Sequence, residues 1–227
     1  MSVLRAAWLI ARKDLRVEVR SRELIYTTLF FALACVLVFS FAFVREDGVP
    51  VDNAAAGILW VAIAFSGTLA LGRTFERERQ TETLRALLLA PVERAAIYVG
   101  KLLALLVLLL SIAGLLVPVT GLLFHAPLER APWLLCALVA AGTTGFAVVG
   151  TLFAAMLVRA QSRDVLLPVV LYPLTVPVII AGVRGTAAIF APEPDLAIAQ
   201  TWLAMLIFFD VVFLTLSLWT FAPVMRD

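Results

Sequence analysis

Hydrophobic positions along this chain come in long runs separated by short polar stretches. Six runs approach or exceed the roughly 20 apolar residues that a helix needs to cross a hydrocarbon core about 30 Å thick. They are Leu24–Val44, Ala54–Leu71, Leu102–Phe124, Pro132–Val158, Val165–Val183 and Leu196–Phe221. No water reaches a backbone amide inside a bilayer, so each run must close its own hydrogen bonds as a helix. The pattern predicts an all-α integral membrane protein with six transmembrane helices.

The leader, Met1 to Glu23, shows helical spacing instead. Leu4, Trp8, Ala11, Leu15 and Val19 share one face, and Arg5, Arg12, Arg16 and Arg20 another. This suits an N-terminal amphipathic helix lying in the cytoplasmic membrane interface. A solvated basic tail that only enforces topology is the simpler alternative. A secretory signal peptide fits poorly, because the first apolar run follows a long charged leader and is itself 21 residues long.

Composition agrees with the pattern. Of 227 residues, 63% are hydrophobic and 15% charged, with a mean hydropathy of +1.04. That is the balance of a chain whose solvent is lipid, with no expected room for a separate soluble domain. Cys35 and Cys136 both sit in apolar runs, which points to buried thiols and to neither a disulfide framework nor a zinc site. Net charge is only +2, so its distribution carries more information than its sum. With both termini on one side, 15 of the 18 Lys and Arg residues fall there, leaving Arg45, Arg130 and Arg184 opposite. Positive charge marks the cytoplasmic side, so both termini and the central loop are expected to be cytoplasmic.

That central loop, Arg73 to Lys101, is the one long charged interruption. Phe75 to Arg79, with Glu78 among them, read as a continuation of the second membrane helix. A break follows at Gln80–Thr81, with Thr81 as N-cap and Glu82 in the positive first turn of a new short helix. Leu84, Leu87 and Leu88 share a face of it, Arg85 stays wet beside Glu82, and Pro91 ends it. A greasy helix projecting from a membrane bundle suits the groove of another protein; a helix that merely caps the bundle is the alternative.

Four further features carry candidate chemistry. Pro168, Pro173 and Pro177 lie within the fifth run, where each removes a backbone donor and predicts a kink, a break or a hinge. Ala141 to Gly145 and Gly150 to Ala154 are small-xxx-small pairs that let helices approach closely. Asp210 is an acid inside an apolar run, a candidate for the path of a substrate or for a hydrogen-bonded packing role. His125, the single histidine, stands at the outer end of the third run, where a ligand role and a solvated side chain both fit. No catalytic constellation or metal-ligand cluster is legible. The one Gly-Lys pair, Gly100-Lys101, lacks the rest of a phosphate-binding loop, with Ala95 and Leu102 at the flanking positions, so ATP is not expected to bind here directly.

Gly57–Pro91, Gly100-Lys101 and Leu167–Gly182, together with the basic leader segment Arg12–Glu23, resemble the CcmB family over essentially the whole chain. The Pro-Leu-Thr-x-Pro run, Pro173–Pro177, is among the most specific parts. CcmB is the permease subunit of the ABC-type haem exporter of cytochrome c maturation. The resemblance implies one exporter-type membrane domain: an interfacial helix over 1–23, helices 1–2 over 24–72, a cytoplasmic coupling region over 73–101, and helices 3–6 over 102–221. It implies a homodimer in the bacterial inner membrane, not itself an enzyme, paired with a separate CcmA-like ATPase that binds ATP. That ATPase would dock on Phe75, Glu78, Arg79, Glu82, Leu84, Leu87, Leu88 and Pro91. CcmC-like and CcmD-like membrane subunits and a CcmE-like haem chaperone would complete the system, with haem as a candidate substrate or ATP-driven release of the loaded chaperone as the work done. A non-transporting scaffold for haem-handling subunits, and a permease for lipids or drugs, are the alternatives.

Overall fold

The computed structural model describes residues 2–43, 54–80, 93–157 and 163–224, with side chains at 74–80, 163–164 and 222–224 left out of the description. Seven helices are present among these residues: α1 (Val3–Ser21), α2 (Glu23–Ala42), α3 (Ala54–Gln80), α4 (Arg94–Phe124), α5 (Pro132–Met156), α6 (Arg163–Phe190) and α7 (Leu196–Val224). The last six are each long and apolar enough to cross a membrane, and no strand occurs among the described residues. The protein is an all-α membrane bundle, as its hydrophobic runs predict.

The spans differ sharply in how much of their surface other helices cover. Two-thirds of the apolar windows of α3 and α5 are buried, against about a tenth for α7. α3 and α5 are therefore the axis of the bundle. α6 and α7 pack on α5 and on each other, α2 leans on α3, and α4 joins α3 to α5. Hydrocarbon is as apolar as leucine, so burial of apolar area contributes little between these helices and close packing has to hold them.

α1 meets the membrane bundle in a way its apolar stripe did not indicate. Leu4, Trp8 and Val19 are all exposed, while Ala6, Ala7, Ile10 and Ala11 are buried. α1 thus turns three alanines and Ile10 inward, toward α4, and leaves Leu4, Trp8 and Val19 outward, because alanines let two helix backbones come close. Arg22 joins α1 to α2 in the left-handed region (φ 57°), its N–H bonded to the Glu18 carbonyl at 2.8 Å. That conformation costs a non-glycine residue ~1–2 kcal/mol, and it lets α2 start immediately after α1 ends.

Two boundaries differ from the hydrophobic runs. α4 begins eight residues before Leu102, at Arg94. α6 is an unbroken helix of 28 residues running through Pro168, Pro173 and Pro177 to Phe190. The three prolines do not break it, because neighbours on α3, α5 and α7 hold the flanking turns in place. At the far end, Asp195 Oδ1 accepts the Ile198 N–H at 2.9 Å and caps α7. Arg130, from the α4–α5 connection, donates to the Ala191 carbonyl just after α6.

Candidate functional site

Three places in the bundle combine polar or aromatic groups with close packing. The first is where the chain returns to the bundle after α3. The opening turns of α4 are embedded: Ala96, Ile97 and Tyr98 are wholly buried. A Cβ on Gly100 would stand 2.8 Å from both the Ala7 carbonyl oxygen and Ile10 Cβ, so only glycine admits α1 this closely. The Tyr98 hydroxyl donates to the Val148 carbonyl on α5 at 3.0 Å, and its ring lies 5.2 Å from that of Phe221 on α7. Lys101 Nζ is 2.6 Å from Asp14 Oδ2 on α1, with the lysine side chain only 3% exposed. Lys13 Nζ holds the other Asp14 oxygen at 2.8 Å. An ammonium buried this deeply is tolerable only with such a partner.

The second place is the centre of the bundle. The Trp60 indole on α3 lies between Gly142 on α5 and Gly182 on α6, where added Cβ atoms would come within 2.2 and 2.3 Å of its ring. Its N–H donates to Thr186 Oγ1 at 3.0 Å. Two further glycines of α5 repeat the device: Gly145 admits Asp210, Phe209 and Val178, and Gly150 admits Leu71. One helix face thereby takes side chains from α3, α6 and α7.

The third is a groove of about 630 Å³ between α2, α3 and α6, lined by Phe31, Phe65, Leu69, Leu167, Pro168 and Tyr172, with Thr68, Gly72 and Arg73 completing the lining. The Thr68 and Tyr172 hydroxyls hydrogen-bond at 3.2 Å, and the Phe65 and Tyr172 rings meet edge to face at 5.9 Å. Arg73, seven residues before the end of α3, reaches toward Glu23 at the start of α2, at 3.8 Å.

The residues singled out by sequence are distributed unevenly over these places. Pro168 lines the groove. Pro173 and Pro177 lie deeper in α6. Asp210 stands midway along α7 against Gly145, and its buried Oδ1 has no hydrogen-bond partner among the described residues. His125 is the exposed C-cap of α4, in the left-handed region at φ 52°. From the start of α7 to Asp210 the helix descends about 21 Å, so Asp210 and His125 lie at different depths and do not form one site. Phe75, Glu78 and Arg79 fall on the last turns of α3, which runs to Gln80. Glu82, Leu84, Leu87, Leu88 and Pro91 lie outside the described residues. Among the described residues no group of three metal-ligating side chains converges.

Sequence reasoning missed Trp60 with Thr186 and Asp14 with Lys101. Trp60 had a signal: tryptophan normally sits at the membrane interface, so one at mid-span needs a partner for its N–H. Lys101 was assigned to the charged loop, although Asp14 offers an opposite charge on the same side of the membrane.

An axial helix pair wrapped by four further spans, with an amphipathic helix strapped to one of them, defines a polytopic α-helical membrane protein. The family model described as CcmB protein matches residues 5–227. This chain belongs to the CcmB family. It is 35% identical over 157 residues to heme exporter protein B of Paracoccus denitrificans (strain Pd 1222), an alignment covering 69% of this chain and 70% of that relative. It is also 34% identical over 97 residues to heme exporter protein B of Escherichia coli (strain K12), covering 43% of this chain and 44% of the relative. The same protein of Shigella flexneri matches to the same extent.

Proposed function

We propose that this chain is the permease subunit of an ABC-type exporter serving cytochrome c maturation. A CcmA-like ATPase supplies ATP hydrolysis from outside the membrane, and CcmC-like and CcmD-like subunits and a CcmE-like chaperone handle haem. Family membership supports the transport class. The structural observation that carries the reading is the anchored return of the chain at α4. Segment 81–92 lies between the extended end of α3 and the start of α4, whose opening turns touch α1, α5 and α7 through Gly100, Tyr98 and Lys101. A push on that segment therefore reaches three helices at once, which is what coupling to an ATPase requires.

In this reading Phe75, Glu78, Arg79, Glu82, Leu84, Leu87, Leu88 and Pro91 seat in the ATPase groove, in the helix-in-groove manner. Two permease copies face two ATPase subunits in the inner membrane of a bacterium. Both termini and α1 lie on the cytoplasmic side, where the basic residues gather. Pro168, Pro173 and Pro177 make α6 the span that bends, and Asp210 and His125 are marks on the substrate's route at two depths. The work done is haem export or ATP-driven release of the haem-loaded chaperone.

Cysteines introduced one at a time from Phe75 to Pro91 and at positions beyond Leu102, in the complex co-expressed with its ATPase, test the docking. Crosslinks at Leu84, Leu87 and Leu88 are expected, and Leu84→Glu should abolish ATPase recovery while the permease still inserts. Crosslinks confined to positions beyond Leu102 would sink the assignment.

A further inference from the structure

The geometry points to the groove between α2, α3 and α6 as a binding site for one anionic phospholipid of the leaflet on the N-terminal side. It is distinct from the segment proposed to dock the ATPase. Three observations carry it. First, the groove opens toward lipid. Phe31 and Phe65 on its wall are 40% and 42% exposed, and Phe30 and Val169 beside it are 75% and 63% exposed. Second, its length fits. From Arg73 to Phe65 the α3 axis descends about 12 Å, close to the ~15 Å that one leaflet contributes to a 30 Å core. Third, a cation stands over an apolar lining. Arg73 closes the end of the groove nearest Glu23, Leu69 and Leu167 come next, and Phe65 lies farthest along α3, with the hydrogen-bonded Thr68 and Tyr172 hydroxyls between Leu69 and Phe65. A phosphate at Arg73 would lay its acyl chain against Leu69, Leu167 and Phe65.

Glu23 bears on the same guanidinium. At 3.8 Å, with its side chain 73% exposed, it is a loose partner, and a fixed phosphate can compete with it through two parallel hydrogen bonds to the guanidinium. Glu23 tunes the site downward without closing it. An arginine at this depth also favours an anionic lipid over a zwitterionic one, because basic side chains near a membrane surface attract negative headgroups.

The test uses the full chain purified from vesicles containing equal phosphatidylglycerol and phosphatidylcholine, with retained lipid counted by native mass spectrometry. The unaltered protein should retain phosphatidylglycerol severalfold over phosphatidylcholine. Arg73→Gln should lower that retention about fivefold, Arg73→Lys should keep most of it, and Glu23→Gln should raise it. Leu69→Trp, which fills the groove from inside, should expel both lipids. Equal retention of the two lipids by the unaltered protein overturns the proposal, as does indifference to both Arg73→Gln and Leu69→Trp. Haemin added to the same preparation is the decisive competitor: if Leu69→Trp removes bound haemin but leaves phospholipid, the groove belongs to the porphyrin. No ATPase is present, so failure here leaves the transport reading untouched.

Discussion

The Trp60 seam and the α1–α4 strap both bring helices close, and they do it by opposite means. At the seam, Gly142 and Gly182 vacate space on two helices and one indole fills it, with a single neutral hydrogen bond to Thr186. At the strap, Ala6, Ala7 and Gly100 bring the backbones together, and a buried ion pair, Asp14 with Lys101, fixes the register. The difference follows from what each must do. The seam lies in the axial pair of the bundle, where a shape fit in hydrocarbon has no rival. The strap holds a charged helix against the end of a span, where small apolar surfaces alone would allow α1 to slide or detach. An ion pair specifies one alignment, because any other leaves a charge buried without a counterion.

The comparison can be broken most forcefully at the strap. Asp14→Ala removes the carboxylate from Lys101 and should destabilise the purified protein by about 3–5 kcal/mol, read as a fall in the midpoint of thermal or denaturant unfolding in detergent. Replacing both residues, Asp14→Leu with Lys101→Met, should recover most of that loss. If the double variant is as unstable as the single one, charge is not what holds α1.

A smaller effect is expected from overfilling the seam. Gly142→Val places a branched side chain where even a Cβ meets the Trp60 ring at 2.2 Å, and crowding of this kind typically costs ~1–3 kcal/mol. Pairing it with Trp60→Leu should relieve part of the penalty, and additivity of the two changes would show that the indole is not what Gly142 accommodates. Least is expected from Trp60→Phe, which removes the hydrogen bond to Thr186 at a cost of roughly 0.5–1.5 kcal/mol, plus a small void. Hydrogen exchange confined to faster opening of α3 and α6, with α1 unaffected, would sharpen the distinction between seam and strap.

These two regions also mark the limits of what one sequence makes legible. The six spans were readable because hydrocarbon enforces them: Leu24–Val44 or Leu196–Phe221 can be nothing but helices in a bilayer. The extension of the second span past Phe75 followed from its uninterrupted helix-forming residues, and α3 does run to Gln80. Gly145 and Gly150 were readable as close-approach positions, in the pairs Ala141 to Gly145 and Gly150 to Ala154, whereas Gly142 was not. Nor were the partners of any of the three, since Trp60, Asp210 and Leu71 come from helices far apart in sequence.

The sequence by itself determined that the chain lives in a membrane, crosses it six times and carries a charged segment between its second and third spans. Each of these is a local property, set by the hydrocarbon thickness and by the need to satisfy every amide within its own helix. Only the tertiary structure decided which face of α1 is buried, that α6 runs unbroken through three prolines, that Lys101 belongs to a helix and not to a loop, and that one tryptophan stands where three helices meet. Those outcomes depend on pairwise fit between distant segments. In hydrocarbon that fit rests on the shapes and few polar groups that happen to face one another, and no stretch of sequence carries both halves of such a pair.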